Sequence, residues 1–428
     1  LPAIRDPATA ECAFTGSHTV LKDGVLVEAW RVSYLSWESV GGQLQPIRIR
    51  GYAARPVGTS GVPGIVQAHG LGGMSEESHA TGLAALTGAF TLAYTGPGGG
   101  DKPENASEGI PATGNGGKRL FDTVPDPRGS WFWAHAVAGM RGLTCLGTRP
   151  EVDTERLGMT GFSAGGVVTT MSAGVDDRIK AAVPLSGTGA WGVAVQSPDA
   201  WQHSLLTAAG LDTGSPEWTT LLATIGADVL VAGANGAVLM VDGSTDEFFP
   251  LTALAATYDA VPGAGKRISI AANFDHGCYS LTGGESAGTI EERAALHAAG
   301  GQRMWFGHHF GSDASFSHLP AQPEVAVTAV GGVTAVTAVV DATGYDVESV
   351  RFWWSADDCF TFLYADLDET SGVWTRLAPA TLPPNAVWFA DVTYRTKDLL
   401  FPGRFALSSR PAIPAGFVPH IREIETCM

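Results

Sequence analysis

A change of rhythm near residues 318–325 constrains this 428-residue chain more than any other feature. Before it, apolar runs of strand length alternate with helical patterns; after it, only strand signals recur. In the first part, residues 47–57, 63–69, 90–94, 157–162, 180–185, 237–241 and 267–272 read as strands ending in loop signals. Residues 130–146, 164–173, 251–259 and 290–310 read as helices. Such alternation builds a mostly parallel, doubly wound sheet covered on both faces. In the second part, strand signals fall at 325–330, 334–340, 349–354, 360–365, 373–377, 387–394 and 404–408, punctuated by Gly, Pro, Asp and Asn. That pattern predicts an antiparallel immunoglobulin- or fibronectin-like sandwich. The expected division is an α/β unit over 1–319 and an all-β sandwich over 320–428, each with its own core.

Hydrophobic residues make up 45% of the chain and charged residues 16%, with 12 Trp, which excludes a disordered polymer and requires a large packed core. The formal charge of −17 would repel a phosphate backbone, so nucleic acid is not an expected partner. No apolar run approaches the roughly 18 residues of a membrane span, and none is expected. The chain starts at Leu1 with no basic segment followed by an apolar one, from which a secreted or periplasmic protein with its signal peptide already removed is expected. Five cysteines lack the CxxC spacing of zinc or redox sites. Cys12 and Cys427 lie near the two termini and form a candidate bridge, since domain termini are often close in space.

The chemistry centres on Gly161-Phe162-Ser163-Ala164-Gly165, a G-x-S-x-G sequence with a strand before it and a helix after it. A serine at such a sharp turn takes a strained backbone, and glycines are needed where side chains would collide with the helix or substrate. This arrangement works with an acid after a later strand and a histidine after the last one. Residues 238–241 run into a loop carrying Asp246, and residues 268–272 run into His276. The expected catalytic residues are therefore Ser163, Asp246 and His276, with the imidazole taking the hydroxyl proton and the carboxylate fixing its tautomer. Asp242 and Asp275 compete for the acid role. Asp246 is preferred because it lies on a loop beyond Gly243, free to curl toward the histidine. Two backbone N–H groups should form the oxyanion hole: Ala164, after the nucleophile, and Leu71, in the loop His69-Gly70-Leu71-Gly72-Gly73. His69, among glycines, is expected to be a structural hydrogen-bonding residue. No metal cluster, P-loop or dinucleotide fingerprint is visible, so no metal or cofactor is expected.

With these residues in place, residues 45–310 resemble the acetyl xylan esterase, cephalosporin deacetylase and dienelactone hydrolase group of α/β-hydrolases. The approach to the nucleophile, Arg149-Pro150-Glu151-Val152-Asp153 followed by residues 156–163, carries the resemblance, as does the acid loop Gly243-Ser244-Thr245-Asp246 with Phe249-Pro250. The resemblance implies an α/β-hydrolase fold and cleavage of carboxylic esters, on short-acyl or carbohydrate-linked substrates. It does not extend to the sandwich, and the chain departs from the group at residues 96–100 and 188–235. The latter stretch, holding Trp191, Trp201 and Trp218, reads as a lid-like insert over the acyl pocket. Trp131 and Trp133 read as core residues. Of Trp353 and Trp354 at least one should face the sandwich interior, leaving the other as a weak carbohydrate contact. A serine peptidase of the prolyl oligopeptidase type shares this catalytic order, but about 45 leading residues cannot build the propeller such enzymes carry. A non-catalytic binding protein on the same scaffold is the third alternative, and it gives no reason to keep nucleophile, base and acid together.

Overall fold

A computed structural model describes residues 2–112, 119–276, 292–330, 333–378, 382–398 and 403–421. The first part is built on a nine-stranded sheet. Its strands are β1 (Ala13–Lys22), β2 (Val25–Val40), β3 (Gln43–Pro56), β4 (Val62–Ala68), β5 (Phe90–Tyr94), β6 (Val152–Phe162), β7 (Ile179–Leu185), β8 (Ala237–Gly243) and β9 (Lys266–Ala271). Their spatial order is β1-β2-β3-β5-β4-β6-β7-β8-β9. The strands from β5 to β9 run parallel, and β1 to β3 add an antiparallel meander at one edge. Every residue of β5 and β8 is buried, as strands covered on both faces require.

Alternation along the strands sorts the two covering layers. Ile65, Ala181, Val183 and Leu239 pack with Leu83 of α1 (Glu77–Thr87) and with residues 304–306 of a late helix, Gly300–Phe310. Their neighbours Val66, Ala182, Val238 and Met240 share a cluster with α2 (Trp131–Leu146), α3 (Ala164–Val175) and the helix Leu251–Ala260. The α/β-hydrolase class and the helices near the expected positions are thus observed, with Ser130 capping α2 through its side chain.

Among the elements that fall where none was expected are β1, β2 and α1. In β1 most side chains are exposed, so no apolar alternation marks it. The hairpins are nonetheless written in the turns, with Asp23-Gly24 at φ 49° and 80° and Gly41-Gly42 at φ 57° and 79°. Such two-residue turns with both residues left-handed match the twist of the paired strands.

The 188–235 stretch folds into short helices, including Trp201–Ala208 and Pro216–Ile225, that pack onto the domain instead of standing off it. Trp191 and Trp218 are buried against Phe121, and Trp191 also meets Phe132 and Phe249. Trp131 is likewise a core residue, donating its indole N–H to Pro97 O at 3.0 Å.

The C-terminal part forms two four-stranded sheets. One comprises β10 (Glu324–Val330), β11 (Val333–Val339), β14 (Asp368–Thr370) and β15 (Val373–Ala378); the other comprises β12 (Tyr345–Ser355), β13 (Leu363–Asp366), β16 (Val387–Thr396) and β17 (Arg404–Ser408). The second sheet lies against β9, the edge strand of the hydrolase sheet. Ser269 Oγ donates to Ala406 O at 2.8 Å, and Ile270 N donates to Ser408 Oγ at 2.7 Å. Phe352, Phe405 and Leu407 join the cluster of Trp305 and Phe306, whereas Trp353 and Phe389 join the cluster on the other face of the hydrolase sheet. Trp353 is buried, and the half-buried Trp354 stacks on Phe352 with ring centroids 5.7 Å apart. Among the described residues no helix is long and apolar enough to cross a membrane.

Cys12 is bonded to Cys145, not to Cys427. The reason lies in α2: Arg141, fully buried, donates to the carbonyls of Ala3, Ile4, Asp6 and Leu35, which fastens the N-terminal segment along that helix and brings Cys12 to its last turn. The Cα atoms stand 5.5 Å apart. Cys278 and Cys427 lie outside the described residues, and Cys359 is a buried free thiol. Because the bridge closes a loop across 133 positions, replacing both Cys12 and Cys145 by Ala should lower unfolding stability by about 2–5 kcal/mol, read as a lower urea midpoint.

Candidate active site

The turn between β6 and α3 holds Ser163 at φ 59° and ψ −122°. Ser163 N donates to Leu185 O at 2.9 Å, and Ser163 O accepts from Val167 N at 3.1 Å. A Cβ on Gly161 would lie 2.5 Å from Gly165 O, and one on Gly165 would strike Ala68 O. The motif glycines are thus required by backbone-to-backbone approach between the turn and β4.

Asp246 reaches the site from the loop after β8. Its Oδ1 accepts from the N–H groups of Phe248 and Phe249 at 2.8 and 2.7 Å, which aims Oδ2 at His276 Nδ1, 2.8 Å away. A carboxylate has no proton to offer, so Nδ1 carries the hydrogen and Nε2 is left to accept from Ser163 Oγ at 2.7 Å. Three residues expected from sequence are therefore joined in one line. Asp242 lies beside Asp246 and makes no bond to His276, its Oδ1 accepting from Gly243 N at 2.8 Å. Burial raises the Asp242 carboxyl well above its ordinary range, and the neighbouring charge of Asp246 adds to the effect.

The histidine loop is stitched to the acid loop. Asn273 N donates to Ser244 Oγ at 2.8 Å, Thr245 Oγ1 to Phe274 O at 2.8 Å, and His276 N to Glu247 Oε2 at 3.0 Å. Burial alone would lower the basicity of His276, but the charge and hydrogen bond of Asp246, with the charges of Glu247 and Asp275, more than offset it and leave the imidazole raised above 6.5.

On the opposite side, Ala164 opens α3 directly after the serine, and the 69–73 loop closes with Gly73 N donating to Gly70 O at 3.0 Å. Gly70 sits so close that a Cβ there would lie 3.1 Å from Ser163 Cβ. His69 accepts from Gly96 N at 2.7 Å and donates through Nδ1 to Gly70 O at 2.6 Å, a structural role. Burial lowers it to about 4, so it stays uncharged. The glycine-rich stretch after β5 is thereby tied to the oxyanion-side loop.

An aromatic collar, not singled out from the sequence, surrounds the imidazole. The rings of Phe248, Phe162 and Phe249 stand 4.6, 5.1 and 5.4 Å from it, and Trp201 packs on Phe248 at 5.6 Å. Phe162 is 39% exposed although large and apolar. Its place inside the motif, like that of Phe248 two residues beyond the acid, is the signal that could have found it. A cavity of ≈ 330 Å³ opens beside the 69–73 loop, lined by Gln67, Leu71, Met74 and Phe162 among others.

Residues 22–189 match the acetyl xylan esterase (AXE1) family model. Among solved structures, acetyl xylan esterase 1 from Thermoanaerobacterium sp. JW/SL YS485 is similar at 18% identity over 62% of this chain and 83% of its own, with a TM-score of 0.47. The acetyl xylan esterase from Paenibacillus sp. R4 is similar at 21% identity over 68% and 89%, with a TM-score of 0.48. Dipeptidyl peptidase 4 of Porphyromonas gingivalis is similar at 16% identity over 66% of this chain and 35% of its own, with a TM-score of 0.40. No curated protein matches the sequence. The chain is a carboxylic ester hydrolase with an α/β-hydrolase fold, similar over residues 22–189 to the acetyl xylan esterases.

Proposed function

We propose that the protein is a serine esterase acting through an acyl-enzyme on short-acyl, carbohydrate-linked esters. The observation that carries this reading is the unbroken hydrogen-bond line from Asp246 through His276 to Ser163 Oγ. Ser163 Oγ attacks the ester carbonyl as His276 Nε2 takes its proton, and the carbonyl oxygen becomes an oxyanion facing the N–H groups of Leu71 and Ala164. The imidazolium, held by Asp246, then protonates the leaving alcohol as the C–O bond breaks. Water repeats the sequence: His276 takes its proton, hydroxide adds to the acyl carbon, and Ser163 leaves with the proton returned. The family match supports the sugar ester, and the ≈ 330 Å³ cavity lined by Leu71, Met74 and Phe162 supports a small acyl group. The Cys12–Cys145 bridge supports function outside the reducing cytosol.

Ser163→Ala should give a folded protein with turnover lowered by about six orders of magnitude, if a subtilisin-like triad is the guide. Assay on p-nitrophenyl esters from acetate to palmitate, beside acetylated xylan and a peptide amide, should show acetate and acetylated xylan preferred and the amide untouched. Mutant turnover matching the parent's would overturn the mechanism, and a preference for palmitate or the amide would overturn the substrate class.

The pH dependence follows from the raised imidazole. His276 must be neutral to accept a proton, and the protonated form predominates below its pKa. The acid limb of kcat/KM should therefore lie above 6.5, with activity lost as pH falls through it. Asp246→Asn should cost roughly four orders of magnitude at neutral pH. Asp242→Asn, which keeps the shape of a side chain that makes no bond to His276, should stay within about tenfold of the parent, and the reverse ranking would exchange the two roles.

A further inference from the structure

We propose that the C-terminal sandwich is a working part of the catalytic site, and that Asn273 is the positioning residue through which it holds His276. The inference rests on the reading of Ser163, His276 and Asp246 as the triad. Asn273 lies three residues before His276, at φ 59°, a left-handed backbone that asparagine tolerates better than most residues. Its side chain reaches out of the hydrolase domain and closes on one residue of the sandwich loop before β13. Asn273 Nδ2 donates to Phe362 O at 2.8 Å, and Phe362 N donates to Asn273 Oδ1 at 2.7 Å. This two-bond pairing uses both ends of the amide, so it fixes position and rotation together, as the pairing of two strands does. An ammonium, a hydroxyl or a carboxylate at 273 could not make it with the same geometry.

The receiving end is rigid. Phe362 is buried beside Phe389, with ring centroids 5.5 Å apart, and belongs to the same apolar cluster as Trp353 and Val387. The loop leading to it is self-bonded, Ser355 Oγ donating to Asp357 Oδ1 at 2.7 Å and Thr361 N to the same oxygen at 2.9 Å. A second tie runs parallel: Arg293 Nη1 donates to Ala272 O at 3.3 Å while its guanidinium lies 5.6 Å from the centre of the Trp353 ring on β12. Residues 272 and 273 are thus anchored to the sandwich side, and residues 273, 274 and 276 to the acid loop through Ser244, Thr245 and Glu247. The imidazole is hung between two walls. Without the sandwich wall, the loop keeps its bonds to Asp246's neighbours but loses the constraint that sets how far Nε2 projects toward Ser163.

The test uses the full chain. Asn273→Gly removes the amide while accepting the left-handed backbone, and Asn273→Asp keeps its shape but faces Phe362 O with no hydrogen to donate. A misplacement of about 1 Å costs on the order of 100-fold in rate. In each variant, kcat on p-nitrophenyl acetate per titrated active site should fall by about 10- to 100-fold, with KM within about threefold of the parent. A merely structural contact would instead lower the titratable fraction and leave kcat per site alone. Phe362→Leu keeps both main-chain partners but shrinks the ring that seats them. It should show the same split in smaller measure, and it serves if Gly at 273 prevents folding. Should Ser163→Ala be inactive while the folded Asn273 variants keep kcat per site within about twofold, the triad stands and the clamp falls. Should Ser163→Ala turn over like the parent, both fall together.

Discussion

A serine held at φ 59° is the constraint on which the rest of the site depends. A left-handed non-glycine residue costs on the order of 1–3 kcal/mol and persists only where its surroundings leave it no alternative. Here the surroundings are main chain. The turn is pressed between β4 and β7 so closely that Gly161, Gly165, Gly166 and Gly187 would each put a Cβ against a backbone oxygen. Ser163 N is held by Leu185 O, the end of β7. A side chain at any of those glycines would relax the turn by pushing the strands apart. The reward for the strain is a hydroxyl standing at the carboxyl edge of the sheet, at the start of α3, where the acid and histidine loops also end.

The electrostatics around that hydroxyl follow from burial. Asp242, Asp246, Glu247 and Asp275 gather within a few residues of His276, and all are buried. Burial raises the carboxyls of Asp242 and Glu247, with the charge of Asp246 adding to both. Their charge acts on His276, which gains proton affinity despite its own desolvation. On the far side, His69 and His135 are lowered by burial and remain uncharged, so the 69–73 loop presents amide dipoles without a competing cation.

Much of this was legible in the sequence because it depends on local rules. The strand-to-helix context of Gly161 to Gly165, the glycine before Asp246 and the strand before His276 each fix where a side chain emerges. Those three side chains meet within 2.8 Å. The parallel strands were legible too, each carrying an apolar run. What escaped was whatever depends on a partner distant in sequence. β1 is exposed and polar, and only its Asp-Gly turn betrays it. Cys12 finds Cys145 because Arg141, deep in α2, collects the N-terminal carbonyls, and nothing in the spacing of the cysteines encodes that. Phe162 and Phe248 look like core residues until the imidazole is placed between them.

The relation between the two halves shows the same limit at the scale of domains. A change from mixed to purely strand periodicity reports which elements exist, not which elements share a core. The sheet edge at β9 would expose unpaired backbone and the flank of an apolar strand, a surface that proteins ordinarily cover. β17 covers it, and the seam is polar as well as apolar: Ser269 Oγ bonds His297 at 2.9 Å as well as Ala406 O, while Ser408 Oγ serves both Ile270 N and Asp391 at 2.7 and 2.9 Å. Burial lowers His297 to about 3 and raises Asp391 to about 7, so this seam, too, avoids buried charge at neutral pH on the histidine and sheds much of it on the acid. Groups buried so completely are costly to expose, because each would lose its partner within the seam before water could replace it. A sandwich joined in this way cannot rock on a hinge without breaking bonds made by β9 itself. β9 is also the strand whose last turn carries Asn273 and His276. The position of the base is thereby referred to the frame of the second sheet as well as to that of the first.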